Sequence, residues 1–303
     1  MKKPLLLLGA LAVATTMTGC SSGSSADPEA TSPSSAINVV ASTNVYGDIA
    51  RQIGGDLVSV TSIIDDPSAD PHSYEASPKT QLALSKADLV IENGGGYDDF
   101  VDTMLSALPE RPTVINAVEI SGKSAVDGEE LNEHVWYDFP TVIKIADAIA
   151  DELATIDDAG ASEFEDNAAA FKGKVAELVA ATDELNESYA GTAVAITEPV
   201  PGYLLDNAGL VDKTPEEFAE AIEEETDVPP AALQATLGLF AAHAVSALVY
   251  NEQTTGPETE QVLAAAKAAS VPVVPVTETL PEGEDYVSGM TGNVAALRAA
   301  LAS

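Results

Sequence analysis

Apolar positions along this chain alternate between two periods. Ile37-Asn38-Val39-Val40-Ala41-Ser42-Thr43 is a β-branched run that predicts a strand, and Tyr46 to Ile53 follows with apolar side chains at helical spacing until Gly54-Gly55 stops it. Val58 to Ile64 predicts a second strand, Lys79 to Lys86 a helix, Leu89-Val90-Ile91 a third strand closed by Asn93-Gly94-Gly95-Gly96, and Thr113 to Ala117 a fourth. Pro140 then opens a helix with Val142, Ile145, Ile149, Leu153 and Ile156 on one face. A longer helix comes next, with a capping-box pattern at Ser162 and Glu165 and a stripe of Phe164, Phe171, Val175, Leu178 and Leu185. The second half repeats the alternation: strand Ala193 to Thr197, helices Pro215 to Glu224 and Pro230 to His243, strand Val245 to Tyr250, helix Pro257 to Ala269, strand Val271 to Thr277 and a last helix from Asp285 to Ala302. Pro215, Pro230 and Pro257 each suit the first turn of a helix. Strands alternating with helices imply mostly parallel sheets covered on both faces, here two α/β halves on either side of one long helix. That helix is either a connector or a long surface helix of one domain.

The first 36 residues do not fit this pattern. Lys2 and Lys3, the apolar run Leu5 to Val13 and the small residues ending at Gly19-Cys20 read as an export signal, residues 1–20. Small residues directly before a cysteine resemble a bacterial lipobox, with Cys20 as the lipidated residue and Met17 where leucine is more usual. Cys20 is the only cysteine, so no intramolecular disulfide is possible. Residues 21–36 are nearly all Ser, Gly, Ala, Asp, Glu and Pro, a flexible tether. The fold should begin near Ile37, and the chain from there to its end is long enough for two modest cores.

Acidic residues outnumber basic ones by 49 to 13, a formal charge of −36, which makes nucleic acid and anionic membrane surfaces poor partners. A field of that sign also concentrates cations. Neither GxGxxG nor GxxxxGK[ST] can be laid over the triple glycine, so it is no phosphate loop.

Candidate chemistry lies at strand ends and on loops. Asp70-Pro71-His72-Ser73-Tyr74-Glu75 places one of only three histidines on a loop stiffened by Pro71, either as a surface residue or as a ligand. His134 sits in Glu133-His134-Val135-Trp136, where it could equally stack on Trp136; Glu198 and Glu278 each end a predicted strand. Two imidazoles and two carboxylates would make a mixed N/O shell suited to a divalent first-row ion such as manganese, iron or zinc. No HExxH or CxxC compactness links the four.

The His72 stretch, Asn132-Glu133-His134-Val135-Trp136, Glu198-Pro199-Val200-Pro201-Gly202-Tyr203 and Glu278-Thr279-Leu280-Pro281 with Asp285-Tyr286 after it resemble the metal-binding lipoproteins of zinc and manganese ABC importers, the cluster A-I solute-binding proteins. The resemblance runs from Ile37 to Ala302. It implies an N-terminal lobe over residues 37–161, a single rigid connecting helix over 162–188 and a C-terminal lobe over 189–303, each lobe a mostly parallel sheet flanked by helices. It implies a metal in the cleft between them, held by His72, His134, Glu198 and Glu278. Family members have histidine or glutamate where Glu198 stands, and most have aspartate where Glu278 stands. His243 matches no ligand. The implied function is a monomeric extracytoplasmic receptor, lipid-anchored to the bacterial cell membrane and in contact with it only through that anchor. It would deliver Mn²⁺ or Zn²⁺ to a permease and its ATPase, with no enzymatic activity. The residues between His72 and His134 lack the His-rich loop of many zinc importers. Two other readings stand beside it: a surface adhesin of the same fold, which a large apolar patch would support, and a metallohydrolase using Glu75 or Asp138 as base.

Overall fold

The computed structural model describes residues 36–67, 71–125 and 130–303; the export signal, Cys20 and the tether lie outside them, as does Asp70. The first half contains strands β1 (Ile37–Thr43), β2 (Val58–Ile64), β3 (Leu89–Glu92) and β4 (Thr113–Asn116). Between and after them come helices α1 (Asn44–Gly54), α2 (Pro78–Leu84), α3 (Phe100–Ser106), α4 (Ala117–Ser121) and α5 (Phe139–Ile156). Helix α6 (Ala161–Tyr189) leads to the second half, whose strands are β5 (Ala193–Ile196), β6 (Val211–Asp212), β7 (Leu248–Asn251) and β8 (Val273–Val276). Its helices are α7 (Gly202–Asn207), α8 (Glu216–Glu223), α9 (Pro230–Ala241), α10 (Pro257–Ala268) and α11 (Tyr286–Leu301).

Each half forms one four-stranded sheet in which every pairing is parallel, in the orders β2-β1-β3-β4 and β6-β5-β7-β8. The first strand of each half lies inside its sheet, so the strand order reverses beside it, and such reversals open crevices at the carboxyl ends of the strands. The central strands β3 and β7 are buried at every position, as strands covered on both faces must be. Pro275 lies on the edge strand β8, where its missing N–H is tolerated.

Helix α6 spans 29 residues, roughly 43 Å at 1.5 Å per residue. Its predicted stripe is real: Phe164, Phe171, Val175, Leu178 and Leu185 are all buried, and the helix packs on α1 and α5 from the first half and on α7 and α11 from the second. The Phe171 ring sits 6.0 Å from that of Tyr286 on α11. Phe171→Ala should therefore cost about 3–5 kcal/mol, read as a lower urea midpoint. A loss below about 1 kcal/mol would place the ring outside the core.

The structure corrects several local readings. Ser162 and Glu165 form no capping box, because the chain turns at Asp157–Gly160 and Gly160 is the N-cap, which leaves Ser162 inside the first turn. Ile156, the last residue of α5, is 39% exposed and does not extend the buried stripe. Pro215 is the N-cap of α8 and not a first-turn residue, whereas Pro230 and Pro257 do start their helices. The short elements α3, α4, α7 and β6 were not predicted, being too brief for a period to show. His243 is exposed, with φ +50°, just past the end of α9.

Candidate metal centre

Three of the four candidate residues follow strands, and His134 lies on the loop between α4 and α5. His72 lies on a single 3₁₀ turn, Pro71–Ser73, beyond β2. His134 immediately precedes a second one, Val135–Tyr137, while Glu198 and Glu278 stand two residues past β5 and β8. Chain direction in a parallel sheet thus puts His72, Glu198 and Glu278 beyond the carboxyl ends of their strands.

Three of the four converge. Glu278 Oε2 lies 3.4 Å from His72 Nε2 and 3.9 Å from His134 Nε2. Two ligands on a tetrahedral ion with bonds of about 2.05 Å are about 3.3 Å apart, so these donors are near ligating separation before any ion is placed. His134 is fully buried and Glu278 is 1% exposed, whereas His72 stands at the opening. Glu198 is equally buried but its carboxylate falls outside this tight group. Asn251 joins it to the rest: its Nδ2 donates to Glu198 Oε2 and, over 2.9 Å, to Glu278 Oε1.

Surrounding groups fix the donors. Asn132 Oδ1 accepts from the His134 backbone N–H at 3.0 Å and lies 2.9 Å from its Nδ1, so the ring proton belongs on Nδ1 and the Nε2 lone pair faces the cluster. Asn132 in turn donates to the Pro199 carbonyl at 2.9 Å, and Tyr203 donates its hydroxyl to the Asn132 carbonyl at 2.6 Å. The triple glycine does its work here. Gly94, Gly95 and Gly96 all have positive φ, a conformation costly for other residues. That turn lets Asn93 donate to the Glu133 carbonyl at 3.0 Å. Glu278 accepts from the Tyr97 hydroxyl at 3.1 Å, and Gln253 Oε1 receives its backbone N–H. His134 also meets Trp136 edge-on, ring centres 5.1 Å apart, so it stacks and faces the cluster at once.

His134 Nε2 and Glu198 Oε1 are buried polar atoms with no hydrogen-bond partner among the described residues, which in a native site is expensive unless something else binds them. Without a cation the cluster shares protons instead. Burial alone would lower the His72 imidazole, but Glu278 beside it raises it to about 9, and His134 is raised for the same reason. Burial and then the Glu278 charge lift Glu198 to about 8, while Glu278, despite burial, is held well below the carboxylate range by the two imidazoles.

These shifts set the direction in which stability changes with pH. Native His72 keeps a proton between its ordinary 6.5 and about 9, and native Glu198 between 4.5 and about 8, where the unfolded chain has released both. Their contribution is complete below those ordinary values and lost as pH rises through the raised ones. Metal-free protein should therefore melt lower at pH 9 than at pH 6.5. Bound metal displaces these protons, so the gain in melting temperature from metal should grow over the same interval. A flat or rising metal-free curve contradicts the charge assignment.

Sequence reading missed Asn251, Tyr97 and Glu223, and it held Asn132 only as part of the motif around His134. Asn251 was accessible to it, since it ends β7 at the level where Glu198 and Glu278 leave their strands. Glu223, whose Oε1 is 3.6 Å from His134 Nδ1, was one acidic residue among many on α8.

Two parallel sheets flanked by helices, with one long helix between them in the chain, define the α/β architecture of this protein. The fold superposes on the periplasmic zinc binding protein TroA from Treponema pallidum with a TM-score of 0.76 at 19% identity, covering 88% of this chain and 99% of that one. The chain belongs to the family described as zinc-uptake complex component A, periplasmic, whose family model matches residues 39–300. Among curated relatives, the manganese-binding lipoprotein MntA of Halalkalibacterium halodurans is 31% identical over 185 residues, 59% of this chain and 58% of that one. The zinc-binding lipoprotein AdcA of Streptococcus pneumoniae is 25% identical over an alignment of 318 positions, 98% of this chain and 61% of its own length. The chain thus spans about six tenths of the length of these relatives.

Proposed function

We propose that this chain is the extracytoplasmic receptor of a metal ABC importer, which captures a divalent first-row ion with His72, His134, Glu278 and Glu198 and hands it to a membrane permease driven by an ATPase. The observation that carries the reading is the convergence of two imidazoles of the first half on buried Glu278 of the second, at near ligating separation. Family membership and the metals named for MntA and AdcA support it. The carboxylate share of the shell suits manganese, while the Irving–Williams order favours zinc at equilibrium in any such N/O site. Cys20 would carry a lipid anchor, the chain's sole attachment to the membrane, and the receptor would act as a monomer.

The two halves are pinned beside the site. Asn44 and Leu280 exchange two hydrogen bonds of 2.8 and 3.0 Å, Tyr137 donates to the Thr277 carbonyl at 2.7 Å, and Tyr286 donates to the Trp136 carbonyl at 2.6 Å. With α6 packed on both halves, capture involves small movements of ligands and loops, and the permease reads local rigidity and not a wide closure.

A hydrolase would need a free base, but Asp138 is occupied. Burial alone would raise its carboxyl, yet Thr141, Asn207 and Lys123 hold it below the usual range. Glu75, the other candidate base, is exposed. For an adhesin, the exposed large apolar residues among those described, Leu82, Val114, Ile156 and Val211, lie on four separate elements. The test is thermal: metal-stripped protein lacking residues 1–20 should gain several degrees of melting temperature from excess Mn²⁺ or Zn²⁺. No gain with either ion would refute the receptor reading.

A further inference from the structure

Outside the inner cluster lies a cavity of about 780 Å³ with His72 in its wall. Seven carboxylate side chains line it, among them Glu130, Glu133, Glu220 and Glu223, and no lysine or arginine does among the described residues. Most of these are ordinary acidic surface, but three side chains within the cavity form a tighter arrangement. Donor atoms of His72, Glu133 and Glu223 all lie within 4.8 Å of one another. They arrive from three separate segments: the turn beyond β2, the loop before His134, and the last residue of α8. One imidazole with two carboxylates is again an N/O set for a divalent first-row ion. Glu223 Oε1 is buried with no hydrogen-bond partner among the described residues, at the carboxyl end of a helix whose dipole adds negative potential. Its nearest cationic prospect, His134 Nδ1, is 3.6 Å away and already has Asn132 Oδ1 at 2.9 Å. The Glu223 oxygen therefore stands in the cavity wall beside the His72 and Glu133 donors, with the His134 imidazole as its ion-pair neighbour.

We propose that His72, Glu133 and Glu223 form an outer metal site, occupied in transit, through which a divalent transition-metal ion passes on its way to the inner cluster. The proposal rests on the receptor reading and adds a route to it. His72 belongs to both sets, 3.4 Å from Glu278 on the inner side and within reach of Glu133 and Glu223 on the outer. It is also more exposed than His134 and Glu278, so an ion arriving through the cavity meets it first. Exchanging Glu133 and Glu223 for His134 and Glu278, while His72 stays bound, moves the ion inward without its ever being stripped of protein ligands. His72 serves both sets, so an ion held by the outer one is in transit, and the outer site shows itself in rates.

The experiment is stopped-flow binding of Mn²⁺ to the metal-stripped protein. It is followed through Trp136, the only tryptophan, whose ring centre is 5.1 Å from that of His134. The probe is the metal ion alone. Glu223→Gln with Glu133→Gln should lower the association rate constant about tenfold or more and flatten its dependence on salt, the signature of lost electrostatic focusing. Glu133→Gln alone, on a loop, keeps the test available should the α8 change disturb folding, and it should slow association in the same direction. Association within twofold of wild type, or an affinity loss carried wholly by faster dissociation, would overturn the outer site. Failure of the wild-type protein to bind Mn²⁺ or Zn²⁺ at all would instead overturn the receptor reading beneath it.

Discussion

Glu278→Gln lowers the affinity for Mn²⁺ and for Zn²⁺ by about a hundredfold to a few thousandfold in competition titrations against a chelator. The expectation comes from where the carboxylate stands. Glu278 is 1% exposed, and its Oε2 faces both imidazole Nε2 atoms at 3.4 and 3.9 Å. Glutamine keeps the shape and can still accept from Asn251, so the change removes charge with little loss of packing. Breaking a buried ionic arrangement by deleting one partner costs about 3–5 kcal/mol, and each 1.4 kcal/mol is about tenfold in affinity. The same change withdraws the counter-charge that raises His72 and His134, so the metal-free variant should also lose much of its decline in melting temperature between pH 6.5 and 9. An affinity within tenfold of wild type would remove Glu278 from the shell.

The second large effect is Asn251→Asp. Asn251 is 1% exposed, and its amide nitrogen bridges Glu198 Oε2 and Glu278 Oε1. An aspartate there turns a shared donor into a third carboxylate facing two others, and like charges in one buried site cannot all ionise. The metal-free variant should be destabilised by about 2–4 kcal/mol, a fall in melting temperature of about 5–10 °C for a chain of this size. Metal should then stabilise the variant by more than it stabilises wild type, because an ion between three carboxylates relieves repulsion that wild type lacks. An unchanged metal-free melting temperature would show that Asn251 does not bridge the two carboxylates.

Periodicity made the architecture legible because both sheets are built from central strands buried on two faces and from helices with one apolar stripe. The α6 stripe, Phe164 to Leu185, is the clearest case. Boundaries were legible only where chain chemistry marks them, as at Pro230 and Pro257; Ser162 and Glu165 carried the letters of a cap without its geometry, which the turn at Asp157–Gly160 decides. At the site, position at strand ends and on loops made His72, His134, Glu198 and Glu278 candidates, and only the family resemblance joined them into one ligand set. Their supporting groups were harder to see. Tyr97 donates to Glu278 from 181 residues away, a pairing no local pattern records, whereas Asn251, 53 and 27 residues from Glu198 and Glu278, at least stands at a strand end, and Asn132 lies only two residues from His134. Glu223 was hidden differently, as one glutamate among many on an acidic helix, distinguished only by what the fold buries beside it. The triple glycine was visible as a turn, but its role in holding the Glu133 carbonyl through Asn93 needed the tertiary structure.

That these four residues hold the ion is tested most directly by anomalous diffraction from crystals of the Mn²⁺-loaded protein, collected on both sides of the manganese absorption edge. One strong peak is expected within about 2.0–2.3 Å of His72 Nε2, His134 Nε2 and carboxylate oxygens of Glu278 and Glu198. A peak held by other residues, or none in protein that demonstrably carries manganese in solution, would contradict it.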